Sequence, residues 1–263
     1  MTISVPCQPN GAVRRLIRKA YEKERKNMAK FALVVFTGFV VAFGCSNAAP
    51  TGEFENTVFE SQDETRFRVE TVATGLEVPW AFAWLPNGDM LFTERRGRVR
   101  IIKDGKLVPD PVYVVQDVEP SSESGLMDIS VHPRFAENRY VYIAYAYRGD
   151  GKQVKVVRFT FADGKFSAPK TIIENIPAAP NHAGTRARFG PDGKLYVTTG
   201  DATKWDLAQQ MNSLAGKTLR LNDDGSVPQD NPFVKQAGTR PEIWSYGHRN
   251  AQGLEWQPGT GLM

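Results

Sequence analysis

A short apolar strand, a turn containing proline and a second strand recur four times along this chain, and a unit that repeats in this way restricts the folds open to it. The copies read AFAWLPNGDMLFTER, DISVHPRFAENRYVYIAYAY, RARFGPDGKLYVTTGD and GLEWQPGTGLM, with prolines at 86, 133, 191 and 258, separated by 47, 58 and 67 residues. Between the copies lie further strand candidates, RVRIIKDGKL, VKVVRFTFADGKF and KTLRLNDDG, rich in β-branched and apolar residues and closed by Gly or Asp-Gly. Three to four strands per unit, in units of this length, predict an all-β propeller of four-stranded antiparallel blades packed face to face around a channel. A two-sheet sandwich is the competing all-β arrangement, but its strands need not repeat as a fixed unit. The fourth copy breaks off just after its turn, so about three and a half blades are expected.

The remaining length divides into three parts: a leader over 1–45, a polar linker over 46–66 and the partial propeller over 67–263. The formal charge of +4 belongs to the leader, where eight Lys/Arg stand against two Glu, leaving 25 basic and 27 acidic residues downstream. With no basic cluster interleaved with aromatics beyond it, a nucleic-acid partner has no support. Lys26 and Lys30 precede FALVVFTGFVVAFG, an apolar run too short for a usual membrane span and suited to a secretory signal beginning near Met28. Read this way, the protein is exported to the periplasm or cell envelope. Cys45, followed by Ser-Asn, resembles a lipoprotein cleavage site and so a lipid anchor; cleavage near Ala48 or Ala49 is the alternative. The other cysteine, Cys7, also lies in the leader, so export rests on the signal and not on a disulfide framework.

The hairpin copies carry a geometric expectation. Residues equidistant from an antiparallel turn face each other, and about the Pro191–Asp192 midpoint His182 opposes Asp201. The same offset in the other copies selects Glu77, Ser124 and Arg249, with Glu123 and Asn250 as neighbours, for one mouth of the channel. A carboxylate opposite a histidine holds one tautomer and strengthens the base, and an arginine at the same level supplies a fixed positive charge. That set suits removal of a hydroxyl proton beside a group that gathers negative charge. Singly, these residues read equally well as loop and turn formers. Arg186 is open between a cofactor role and pairing with a blade carboxylate. His132 reads as structural, His248 as facing away from Arg249, Asp128 and Glu94 as blade-supporting or solvated, and Asp223-Asp224-Gly225 as a turn and not a calcium loop.

From about Thr71 to Met263 the chain resembles the soluble PQQ-dependent glucose/sorbosone (aldose sugar) dehydrogenase family of six-bladed propellers. The resemblance is carried by GLEVPWAFAWLPNGDMLFTER, ESGLMDISVHPRF, NHAGTRARFGPDGKLYVTTGD, LAGKTLRLNDDGSVPQDNPF and EIWSYGHRNAQGLEWQP, in that order. It implies that His182 is the general base for the anomeric hydroxyl, that Asp201 orients it and that Arg249 lies beside the reacting quinone carbonyl. Asn250, Gln252, Glu123 and Arg186 are then placed near the cofactor. PQQ and Ca2+ are the implied cofactors, an aldose the substrate, a lactone the product and an external acceptor the outlet for electrons. Two departures stand out: HAGTR where many relatives are more compact and glycine-rich, and the absence of the EHGP-type segment whose carbonyls bind calcium in relatives, which leaves the metal ligands unassigned. On that ground the 263-residue chain is expected not to hold PQQ. A non-catalytic propeller binding a carbohydrate or protein partner, and a calcium-dependent sugar lactonase, remain as alternatives at this stage.

Overall fold

The computed structural model describes residues 58–263; the signal segment, both cysteines and the basic leader lie outside the described residues. Across the end of the stretch read as linker, β1 (Val58–Glu60) and β2 (Arg66–Arg68) pair as a small antiparallel hairpin.

Three antiparallel sheets follow in chain order. The first holds β3 (Pro79–Trp84), β4 (Met90–Glu94), β5 (Arg98–Lys103) and β6 (Lys106–Leu107), with a short β7 (Tyr113–Val114) also pairing β5. The second runs β8 (Leu126–Val131), β9 (Tyr140–Gly149), β10 (Gly151–Ala162) and β11 (Lys165–Pro177). The third runs β12 (Ala187–Phe189), β13 (Leu195–Thr198), β14 (Lys217–Leu221) and β15 (Ile243–Tyr246). Each sheet adds its strands in sequence order, as a blade does. The first three repeat prolines sit in the loops between the first two strands of each blade; the second loop also carries the short helix α1 (Phe135–Asn138). The fourth copy forms only its turn, closed by Gln257 N–H to the Leu262 carbonyl at 2.8 Å, with no strand beside it.

Strand alternation explains why the blades stack. Successive side chains of a strand point to opposite faces, and in β9 Val141, Ile143 and Tyr145 enter the core shared with the first blade, whereas Tyr142, Ala144 and Ala146 enter the core shared with the third. Strand β10 keeps the same parity, with Val157 and Phe159 on one side and Val154 and Val156 on the other. A strand apolar on both faces needs a sheet on each side. The second blade is therefore sandwiched, and β8 packs against both β3 and β12. Between these first strands lies a cavity of about 580 Å³, lined by Trp80 and Trp84 of β3, Ile129 and Val131 of β8, and Arg186 and Arg188 of the third blade.

Candidate active site

The third blade's hairpin brings His182 and Asp201 together, though not by the expected register. Pairing of Ala187 with Val197 and of Phe189 with Leu195 centres the hairpin on Asp192, half a residue beyond the expected midpoint. Position 182 consequently lies across from Ala202, whose N–H donates to the His182 carbonyl at 3.2 Å. The side chains still meet because the chain leaves the extended conformation here: φ is 56° at His182, 55° at Gly184 and 92° at Thr185, and 55° and 62° at Ala202 and Thr203 on the facing segment. Gly200 permits the close approach, since a β-carbon there would stand 1.9 Å from the His182 carbonyl oxygen.

His182 Nδ1 lies 2.8 Å from Asp201 Oδ1, and the same oxygen accepts the Thr203 N–H at 2.8 Å. Both groups are shielded, with side-chain exposures of 15% for His182 and 4% for Asp201. A carboxylate accepting at Nδ1 fixes the proton there and leaves Nε2 with its lone pair. Nε2 makes no hydrogen bond among the described residues.

The network extends to segments distant in sequence. The loop before β8 docks on the histidine segment through Glu123 N–H to the Pro180 carbonyl at 3.0 Å. Glu123 Oε2 then accepts from the His182 N–H at 3.0 Å, Asn250 Nδ2 at 3.0 Å and Gln252 Nε2 at 3.4 Å. Asn250 Oδ1 accepts the Gly184 N–H at 2.9 Å, and Asp201 N–H donates to the Arg249 carbonyl at 2.8 Å. The Arg249 side chain is exposed and makes no hydrogen bond or ion pair among the described residues.

Arg186 makes the pairing with a blade carboxylate that one of its two readings expects. Its Nη1 bonds Asp128 Oδ1 at 2.5 Å and its Nε donates to the Gln252 carbonyl at 3.0 Å. Asp128 is fully buried and also holds Arg188 at 3.1 Å and the Ala187 N–H at 2.6 Å. Burial raises the Asp128 carboxyl above the ordinary range, against the opposing pull of Arg188 and Arg186.

The expected ring of four breaks up. Glu77 is occupied within the first blade by Arg96 at 2.7 Å and Arg98 at 3.1 Å, and Ser124 is buried with its hydroxyl donating to the Ser121 carbonyl at 2.8 Å. Only His182 and Arg249 of that set belong to the network, because insertions between copies shift the register of the other two. His132 packs on Tyr142 and Phe189 with Nδ1 accepting the Arg134 N–H, and burial lowers its basicity. His248 turns from Arg249 to Ser245 at 2.7 Å, its pKa lowered by burial and then by Lys217. Asp224 closes its turn by accepting from Ser226.

One residue escaped sequence reasoning. Lys217 is completely buried, and its ammonium donates to the carbonyls of Leu207 at 2.9 Å, Ala208 at 3.0 Å and Ala215 at 2.7 Å. The available signal was parity: in KTLRL, Lys217 shares its face with the core residues Leu219 and Leu221.

The sequence model of the glucose/sorbosone dehydrogenase family matches residues 76–263. An aldose sugar dehydrogenase of Escherichia coli is 38% identical over 74% of this chain and 54% of its own length. Quinoprotein glucose dehydrogenase B of Acinetobacter calcoaceticus is 28% identical over 78% of this chain and 49% of its own. Among solved structures, the PQQ-bound aldose sugar dehydrogenase of Streptomyces coelicolor superposes with a TM-score of 0.66 at 35% identity, covering 72% of this chain and 56% of that one. The chain thus spans about half the length of the relatives it matches. With three antiparallel blades in sequence order, two of four strands and the first of four with β7 added, and a family match from the first blade onward, this chain belongs to the glucose/sorbosone dehydrogenase family and forms part of a β-propeller.

Proposed function

We propose that the chain carries the proton-accepting half of a quinoprotein sugar dehydrogenase, one that oxidises aldoses at C1 to lactones. The observation that carries this reading is the 2.8 Å contact between His182 Nδ1 and Asp201 Oδ1, which leaves Nε2 unengaged. In this reading Nε2 accepts the proton of the sugar's anomeric hydroxyl, and Asp201 stabilises the imidazolium that forms. Its burial strengthens that interaction, because less water screens the pair.

The residues present fit PQQ at the rim. Arg249 offers an exposed guanidinium without a side-chain partner among the described residues, suited to an oxygen that gains negative charge. Asn250 and Gln252 would border the group, while Glu123 holds their amides and the His182 backbone in place. Arg186 pairs with Asp128 and donates to the Gln252 carbonyl, which links it to the same segment. When bound, PQQ with calcium supplies the hydride acceptor and the Lewis acid that polarises it. The described residues contain no group of three or more His, Cys, Asp or Glu placed to hold a metal. The basic, apolar segment before Cys45 supports a periplasmic or envelope location, with Cys45 as a lipid anchor, and electrons leaving to an external acceptor.

The test is dye-linked oxidation of several aldoses, with PQQ and calcium, by a form of the protein extended to the length of its relatives, with His182→Gln beside it. The expected result is turnover that the substitution lowers by about four orders of magnitude, the upper range for a positioned acid–base group. Equal rates for the two proteins would remove His182 as the base.

A further inference from the structure

Lys217 stands apart from every other buried cation described above in having no carboxylate partner. Its three N–H donors meet three backbone carbonyls, the full donor capacity of an ammonium group. Two of these carbonyls, from Leu207 and Ala208, belong to a 3-10 turn over Trp205–Ala208 that begins four residues after Asp201. The third, from Ala215, belongs to the strand entry on which the two halves of the site converge.

The backbone around Lys217 shows that convergence. On the Asp201 side, Lys217 N–H donates to Thr199 Oγ1 at 2.8 Å, Thr199 N–H donates to the Lys217 carbonyl at 2.8 Å, and Gly216 N–H donates to the Gly200 carbonyl at 2.8 Å. On the Arg249 side, His248 N–H donates to the Gly216 carbonyl at 3.0 Å, and Gly247 N–H donates to the same Ala208 carbonyl that Lys217 grips, also at 3.0 Å. The ammonium group therefore ties the turn after Asp201 to the entry of β14, and the Gly247 and His248 amides join the segment arriving at Arg249 to that same turn and strand. Between Asp201 and the clamped turn stand only Ala202, Thr203 and Lys204. Thr203 is held at φ 62° and gives its N–H to the carboxylate oxygen that also receives His182.

We infer that Lys217 is a positioning residue for the reaction, a buried cation that fixes the turn after Asp201 so that the Thr203 amide and Asp201 carboxylate keep the His182 proton on Nδ1. It touches neither substrate nor cofactor and acts through backbone carbonyls. A purely structural lysine would support the sheet without affecting that proton. The inference rests on His182 being the base, and its test is chosen to speak even where turnover is not observed.

The chain has three histidines, so its imidazole nitrogens can be followed individually by long-range proton–nitrogen correlation on the protein without cofactor, with His182→Gln for assignment. In the unsubstituted protein the His182 Nδ1–H signal is expected to be observed, with the Thr203 amide protected from exchange. In Lys217→Met, whose side chain has similar length but no donor, Thr203 protection should fall by about tenfold or more, as expected for a locally opened turn, and the Nδ1–H signal should be lost to exchange. In the form extended to the length of its relatives, with PQQ and calcium, kcat should fall about 100-fold, the cost of a small misplacement of a reacting group, while KM for the aldose changes little. Lys217→Arg should restore part of both signals. Loss of kcat without change in Nδ1–H or Thr203 protection would overturn the inference, as would unaltered spectra and unaltered kcat in a folded variant. Lys217→Gln, which keeps two N–H donors, serves where the methionine variant does not fold, and failure of both to fold would make the lysine a residue of the sheet and overturn it as well. If the form extended to the length of its relatives turns over no sugar, the proposed function fails while the spectra still decide the positioning role.

Discussion

Replacing Asp201 with asparagine separates the charge behind His182 from the shape that holds it. The carboxylate is 4% exposed and accepts two hydrogen bonds at Oδ1, one from His182 and one from Thr203. An asparagine Oδ1 can accept both, so the turn and the imidazole stay in place and the fold loses little. What disappears is the negative charge facing the imidazolium as it forms. With charge centres about 4 Å apart and an effective dielectric constant of about 20, that attraction amounts to about 4 kcal/mol. A loss of that size in the transition state slows the reaction about 1,000-fold, and the amide dipole that replaces the charge returns a part of it. The expected fall in kcat for aldose oxidation therefore lies between about 100-fold and about 1,000-fold. The aldose KM should change little, since the carboxylate stands behind the imidazole and not against the sugar. Pre-steady-state reduction of the bound quinone is the assay, because it reads the chemical step without product release. A fall of less than about tenfold, with the Nδ1–H signal intact, would show that the imidazolium does not form in the rate-limiting step and would end the argument for His182 as the base.

Three further outcomes follow from the same geometry. Gly200→Ala would press a methyl group to within 1.9 Å of the His182 carbonyl oxygen; overpacking of this kind costs about 1–3 kcal/mol, so denaturant unfolding should show that loss together with a disturbed His182 imidazole signal, and a neutral result would mean that the facing segments are not so closely apposed. Asp128→Ala would leave Arg186 and Arg188 without their shared buried carboxylate, a loss of about 3–5 kcal/mol for breaking a buried pair, measured by the same unfolding experiment. Lys217 should give stability a distinctive pH slope: burial lowers its folded pKa to about 8 from the ordinary 10.5, so between those values the unfolded chain holds more protons and stability rises with pH. Unfolding curves across that window should show the rise in the native sequence, and Lys217→Met should remove that contribution.

The blades were legible because the strand-turn-strand unit repeats and burial on two faces writes itself as a near-continuous apolar run. The run YVYIAYAY in β9 and the paired turns at Pro86, Pro133 and Pro191 announce stacked sheets without coordinates. The pairing of His182 with Asp201 was legible as proximity but not as mechanism of contact. Counting along the hairpin assumes extended backbone, and the segment from His182 to Thr185 is not extended; three left-handed φ values there re-aim the imidazole. The count failed for Glu77 and Ser124 for a related reason, since loop insertions between copies change which residue reaches the rim. Glu123, adjacent to the counted position, is the one whose side chain arrives. Arg186 could not be settled from sequence, because its choice depends on Asp128, 58 residues away in the chain. Lys217 is illegible from residue type, because lysine is almost never fully buried, and only its place on the core-facing parity of KTLRL points inward.

The arrangement also bears on how a small set of side chains can be held for proton transfer on loops. Loops yield easily because their backbone groups are poorly paired, yet here Glu123, Asp128 and Lys217 each bind several groups from different segments. Glu123 gathers the His182 amide and two side-chain amides, Asp128 gathers two arginines and an amide, and Lys217 gathers three carbonyls. Each of the three carries a charge, and charge-assisted hydrogen bonds are stronger than neutral ones. Together they tether the loop before β8, the histidine segment, the turn after Asp201 and the Arg249 segment to the second and third blades. If this is the source of the site's rigidity, removing any one of the three charges should loosen His182 even though none of them reacts. Neutralising Glu123 with glutamine then gives the sharpest discrimination, since the amide keeps the shape and one acceptor: a site held by geometry alone would tolerate it, whereas a site held by charge would show faster exchange at the His182 amide and a lower kcat with the blades' unfolding unchanged.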